Sequence, residues 1–216
     1  MDYTLTRSER KTIAIHIKNG AVEVRAPRRT PKQEVDRFVA SKEKWIQDKL
    51  ALSRGRMEQR KTPPIYGDNI PYRGKQYPVV ARAGNRIGFD GERFYLPPNL
   101  HSEQIEAACE QIYRGLAKRV LPERVGLLAP RMQAIPAAVK INGAKTRWGS
   151  CSNQKNLNFS WRLLRFPDEV IDYVIIHELA HLSEMNHSLQ FWALVEAVLP
   201  NYKELRKRLS ANTSNP

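Results

Sequence analysis

Apolar and polar residues alternate through KTIAIHI (11–17) and AVEVRA (21–26), with Asn19-Gly20 between them. That pair suits a type I′ turn, so the pattern predicts an opening β-hairpin. Ile13, Ile15 and Ile17 then share one face, and His16 lies exposed on the other. Thr30-Pro31 predicts a helix start, with Thr30 as cap, Pro31 as first helical residue and Gln33 completing a capping box. Val35, Phe38, Val39, Trp45, Ile46 and Leu50 supply its apolar stripe. The basic stretch 54–64, closing on Pro63-Pro64, reads as a linker. Short strands interrupted by glycine follow between 65 and 98, the last two on either side of Asp90-Gly91. Ser102 is the expected cap of a long helix in which Ile105, Ala108, Cys109, Ile112, Leu116 and Val120 recur at helical spacing.

From Ala137 the pattern returns to strands: AVKIN, then GAKTRWGSCSNQKN, then LNFSWRLL, where Leu157, Phe159, Trp161 and Leu163 share a face. Phe166-Pro167-Asp168 ends that strand and caps a helix over 169–182, EVIDYVIIHELAHL, which is apolar on nearly every side and is therefore expected inside the domain. A helix near 189–199 and a basic amphipathic one from Pro200 complete the chain. The fold class this predicts is α+β: a strand-rich N-terminal region with hairpin and helix over 1–100, and a second domain over 101–216 built from a small antiparallel sheet and backing helices.

At 216 residues, with 41% hydrophobic and 27% charged, the composition is globular. The longest apolar run, VII at 174–176, is far too short to cross a bilayer, and MDYTLTRSERK has no apolar core of a signal peptide, so neither leader nor membrane anchor is expected. Cys109 and Cys151 are far apart and form no CxxC pair, which fits reduced thiols and a cytoplasmic location. The net charge of +14 favours polyanions, but its basic residues are scattered. That predicts a solvated basic surface with at most weak, nonspecific binding of polyanions.

The helix at 169–182 poses the chemical question. A buried carboxylate and two buried imidazoles are costly unless they are paired or bound to metal. His177 and His181 stand four apart on one helix face, a separation that one Zn²⁺ can span. Glu178 lies about 100° round the helix, where it need not ligate the ion but can act as base on the water that the ion activates. His187, six residues after His181, is the expected third ligand, with Asn186 turning the chain back in a left-handed conformation. Glu196 on the following helix is its rival, and an ordinary salt bridge is the commoner role for such a residue. One zinc per chain is expected. Arg147 and Tyr202 are candidates for contacting the substrate or the developing oxyanion. In TRWGSCS, Trp148 reads as packing, Gly149 as a point of close backbone approach, and Cys151 as no nucleophile, because no histidine is reserved for it.

HELAHLSEMNHSLQFW, with TRWGSCS upstream and PNYKELRKRL at the close, resembles the YgjP-like metallopeptidase family, compact zincins related to the SprT-like proteases. The resemblance implies a zincin-like catalytic domain, a zinc site of His177, His181 and His187, and Glu178 as general base. It leaves the substrate open between a peptide or protein and a nucleoside triphosphate, since some members are catalogued as UTP pyrophosphatases. A third alternative, a nucleic-acid-binding protein with a structural metal, fits less well, because structural zinc sites close all four positions and favour cysteine.

Overall fold

Period-two alternation and a run of helix formers build the first of two units. The computed structural model describes residues 2–18, 20–59 and 63–212, and its contacts divide the chain into Met1–Thr62 and Pro63–Pro216. In the first unit, β1 (Thr4–Ser8), β2 (Ala14–Lys18) and β3 (Ala21–Pro27) form a sheet of order β1-β3-β2. The hairpin β2–β3 is antiparallel and β1 joins parallel to β3. Val22, Val24 and Ala26 point into the core, Ile13, Ile15 and Ile17 pack against it, and His16 is exposed. The sequence pattern predicts no strand at β1, because Leu5 is its single apolar residue and the sole one packed on that core. Asn19 lies outside the described residues, so the turn expected there has no structural account.

The helix expected from Pro31 is two helices, α1 (Lys32–Ser41) and α2 (Glu43–Gln59), broken at Lys42. Val35, Val39 and Ile46 are buried in the same core. Pro31 itself occupies the cap and no side chain caps the helix, so the capping box of Thr30 and Gln33 does not form. The expected linker is helical through Gln59, since RGRMEQ contains good helix formers apart from Gly55. Residues 60–62 lie outside the described residues.

The second unit contains two small sheets and four helices among its described residues. β4 (Asn69–Tyr72), β5 (Lys75–Ala81), β6 (Gly88–Phe89) and β7 (Phe94–Leu96) are ordered β4-β5-β7-β6. The helix α3 (Ser102–Leu128) follows; His101, not Ser102, stands at its cap, with its N–H donating to Gln104 Oε1 at 2.9 Å. β8 (Ala138–Asn142), β9 (Gly149–Cys151) and β10 (Asn156–Ser160) make the second sheet in the order β8-β10-β9. It is mixed, not antiparallel: β10 pairs parallel with β8 and antiparallel with β9. Trp161 and Leu163 are buried, but on a 3-10 turn (Trp161–Arg165) that follows β10 and not on the strand face expected for them. Then come α4 (Asp168–Ala180), α5 (Leu189–Val198) and α6 (Tyr202–Asn212). No described helix is long and apolar enough to cross a membrane.

The expected boundary at residue 100 falls inside this unit. Val79, Phe94 and Leu96 are fully buried in one core with Ile105 of α3, Leu157 and Phe159 of β10, and Ile171 and Ile175 of α4. Nine residues of the 13-residue α4 are buried. That fixes it as the central helix of the unit, as its apolar circumference predicts.

A salt-bridge clamp sets where α4 begins. The β4–β5 turn places Arg73 and Gly74 at φ +49° and +80°, both left-handed as a type I′ turn requires. Arg73 N–H donates to the Leu164 carbonyl at 2.8 Å. Its guanidinium meets Asp168 at 2.7 and 2.6 Å, while Arg124 reaches Asp168 at 3.2 Å and Asp172 at 2.7 and 2.6 Å. A Cβ on Gly74 would stand 3.0 Å from Pro167, so this close seat favours glycine twice over. The Arg73 hydrogen bond, more than the Arg124 charge, holds the Asp168 carboxyl below its ordinary range. The clamp therefore stabilises the fold above the unfolded carboxyl pKa of about 3.9 and is lost as pH falls through the lower folded value. Thermal melts should show Asp168→Asn less stable than the parent at pH 7, with the gap closing below about pH 4.

Candidate metal centre

Three imidazoles converge where α4 ends. His177 is in the last turn of α4, and His181 caps the helix while keeping right-handed backbone angles (φ −65°, ψ −14°). The two side chains therefore stack on one face, as four-residue spacing requires. Tight turns follow: Leu182, Ser183 and Glu184 N–H groups return to the carbonyls of Leu179, Ala180 and Ala180 at 3.0, 3.1 and 2.9 Å. Ser188 N–H then donates to Asn186 O at 2.8 Å, and Ser188 Oγ accepts from Phe191 N–H at 3.2 Å to start α5. His187 is carried back by these turns until its Nε2 lies 3.1 Å from His177 Nε2. Asn186 is not among the described residues with positive φ, so the return does not use the left-handed step expected of it. One nitrogen from each of His177, His181 and His187 lies within 4.8 Å of the others.

The donor set fits a zinc ion. Bonds of about 2.0–2.1 Å to a tetrahedral ion put neighbouring ligand nitrogens roughly 3.3 Å apart, close to the 3.1 Å seen between His177 and His187. His181 Nδ1 lies 3.0 Å from the backbone carbonyl of Glu184. Placing the proton on Nδ1 to donate there leaves Nε2 with a free lone pair, the way ligating histidines are usually oriented. Burial, then the neighbouring His181 and His187, push the His177 pKa down to about 3. His187 is lowered too, by burial first. Neutral imidazoles are what a metal requires. His177 Nδ1 is buried and has no hydrogen-bond partner among the described residues.

Aromatic rings hold the trio, a feature that sequence reading missed. Phe191, fully buried, has its ring centre 4.9, 4.6 and 4.7 Å from those of His177, His181 and His187. Trp192 stacks on His187 at 5.5 Å, and Tyr202 stacks in turn on Trp192 at 5.2 Å. The Arg206 guanidinium lies 4.9 Å over the Trp192 ring. The signal was in HSLQFW: a serine cap followed at helical spacing by Phe191 and Trp192, which the cap turns toward His187.

Glu178 lies outside the histidine group. It is buried, 6% exposed, against β9: a Cβ on Gly149 would come within 2.6 Å of both Glu178 Cγ and Oε1. Burial raises the Glu178 carboxyl to about 7, against the opposing pull of the Arg147 charge and a backbone hydrogen bond from Cys151. Arg147 itself is exposed, in the loop before β9. Tyr202 is buried, with its ring stacked on Trp192, which also stacks on His187. Glu196 is exposed, pairs with Lys203 at 3.5 Å and is not part of the trio. Glu184 is half-buried, and its side chain accepts from Ser188 Oγ at 3.5 Å. His16 and His101 are exposed and are not in the trio either. Trp148 packs edge-on against Phe166 at 4.9 Å, as expected. Cys151 is free; burial, then the Glu178 charge, raise its thiol pKa and keep it protonated.

A model of the YgjP-like family, metallopeptidase domain, matches residues 11–212. The chain belongs to the YgjP-like metallopeptidase family. Two solved structures are similar over part of the chain. The metallopeptidase zymogen abylysin of Pyrococcus abyssi is 26% identical with a TM-score of 0.40, over 43% of this chain and 93% of its own. The metallopeptidase zymogen jannalysin of Methanocaldococcus jannaschii is 19% identical with a TM-score of 0.39, over 43% of this chain and 96% of its own. None of the curated proteins matches the sequence.

Proposed function

We propose that His177, His181 and His187 hold one zinc ion, and that Glu178 is the general base in hydrolysis of peptide bonds. The observation that carries this reading is the convergence of three imidazoles beside a buried carboxylate that is not part of their group. When bound, zinc supplies Lewis acidity, polarising a carbonyl and lowering the pKa of a water toward about 7. Glu178 accepts the proton of the attacking water on a carboxylate oxygen and delivers it to the departing amine nitrogen. Burial raises the proton affinity of Glu178, as a group that takes up and then returns a proton requires. The Cys151 hydrogen bond and the Arg147 charge steady its ionised form. Arg147, exposed in the loop before β9, is the better candidate for meeting a developing oxyanion, because Tyr202 is buried.

The sheet supplies a place for the substrate. β9 is at the end of the order β8-β10-β9, so among the described residues one of its edges has no partner strand. An extended peptide added there would run beside Glu178, which touches Gly149 of that strand. Membership of a metallopeptidase family favours this substrate over a nucleoside triphosphate. The test incubates zinc-loaded protein in parallel with a denatured protein mixture and with nucleoside triphosphates. Peptide products are expected from the first; pyrophosphate alone, from the second, would overturn the peptide reading.

Gly149→Ala provides a second check. Its methyl group would occupy the space of the Glu178 side chain, displacing the base while leaving the histidines untouched. The variant should keep its zinc and its circular dichroism spectrum, and peptide hydrolysis should fall on the order of 10²-fold, the cost of a displacement of about 1 Å.

A further inference from the structure

A cavity of about 540 Å³ opens where the β4–β5 turn, the β6–β7 turn and α3 meet, a volume usual for small-molecule sites. It is separate from the histidines. Asp168 on its wall begins α4, nine residues before His177, which is roughly 13 Å along the helix axis. Three rings form one side: Phe89 meets Tyr72 and Tyr77 edge-on, each at 4.9 Å between centres.

The charged groups around this cavity are of two kinds. Both carboxylates are already neutralised: Asp168 by the forked hydrogen bonds of Arg73, and Asp90 by Arg93 at 3.4 Å and by the N–H groups of Glu92 and Arg93. Lys75 and Arg119 remain, and among the described residues neither forms an ion pair. The lining residues carry a net charge of +1, and Lys75 and Arg119 are its two cations without a carboxylate partner among the described residues, beside an aromatic wall. Two solvated cations on their own would need no aromatic recess, and an apolar recess on its own would not gather cations.

We propose that this cavity is a second ligand site, taking a phosphate monoester of a planar aromatic ring. The dianion would bridge Lys75 and Arg119, and the ring would lie on the Phe89 and Tyr77 side. The proposal stands independently of the zinc reading, since no residue is shared. Calorimetric titration of phenyl phosphate and of inorganic phosphate, each into the parent protein and into Lys75→Ala/Arg119→Ala, tests it. Both replaced residues are exposed, so the variant should keep its fold and its metal centre. The expected result is saturable binding in the parent, tighter for phenyl phosphate than for inorganic phosphate, and weaker by roughly tenfold or more in the variant. Unchanged affinity in the variant would place the ligand elsewhere, the metal centre included, and would overturn the proposal. So would equal affinity for the two phosphates, or no saturable binding at millimolar concentration.

Discussion

Glu178→Gln should keep zinc and fold and lose peptide hydrolysis by about 10²-fold or more, the usual consequence of removing a general base. Glutamine has the size of glutamate, so the seat against Gly149 is preserved. Its amide can still accept the Cys151 hydrogen bond, but it cannot take a proton from water. The prediction pairs metal analysis with a rate on denatured protein. Normal turnover with zinc bound would mean that another group is the base, and the mechanism argued for this centre would fail.

His187→Ala should weaken zinc binding by more than about 10²-fold, beyond the effect typical of losing an outer-shell partner of a ligand. Glu196→Ala should leave it unchanged. The contrast follows from position: His187 Nε2 is 3.1 Å from His177 Nε2, whereas Glu196 is exposed and paired with Lys203. Competition with a chromophoric chelator measures both variants. If the order were reversed, the third ligand would be a carboxylate, and the present arrangement of the α4–α5 turn would not be that of the metal-bound protein.

What the sequence made legible was local. His177 and His181 could be paired because helical period fixes which side chains share a face, and the apolar circumference of α4 announced its burial. His187 could be nominated from nearness in sequence, but not the route by which it arrives. That route is a succession of ordinary right-handed and extended turns rather than a left-handed Asn186, and such turns leave no strong residue signature. Contacts between distant segments were hidden for a different reason. Gly149 and Glu178 meet only because β9 pairs with β10 and packs on α4; spacing along the chain does not encode that. The boundary expected at residue 100 failed on the same point. β6 and β7 are only two and three residues long, and nothing local reveals that Phe94 and Leu96 complete the core around α3 and α4.

The measurement closest to the central claim is the X-ray absorption spectrum of zinc in the purified, zinc-loaded protein. About one zinc per chain is expected, in a shell of nitrogen and oxygen at about 2.0–2.1 Å with the outer scattering of three imidazoles. A sulfur shell near about 2.3 Å would make Cys151 or Cys109 a ligand and contradict the three-histidine centre.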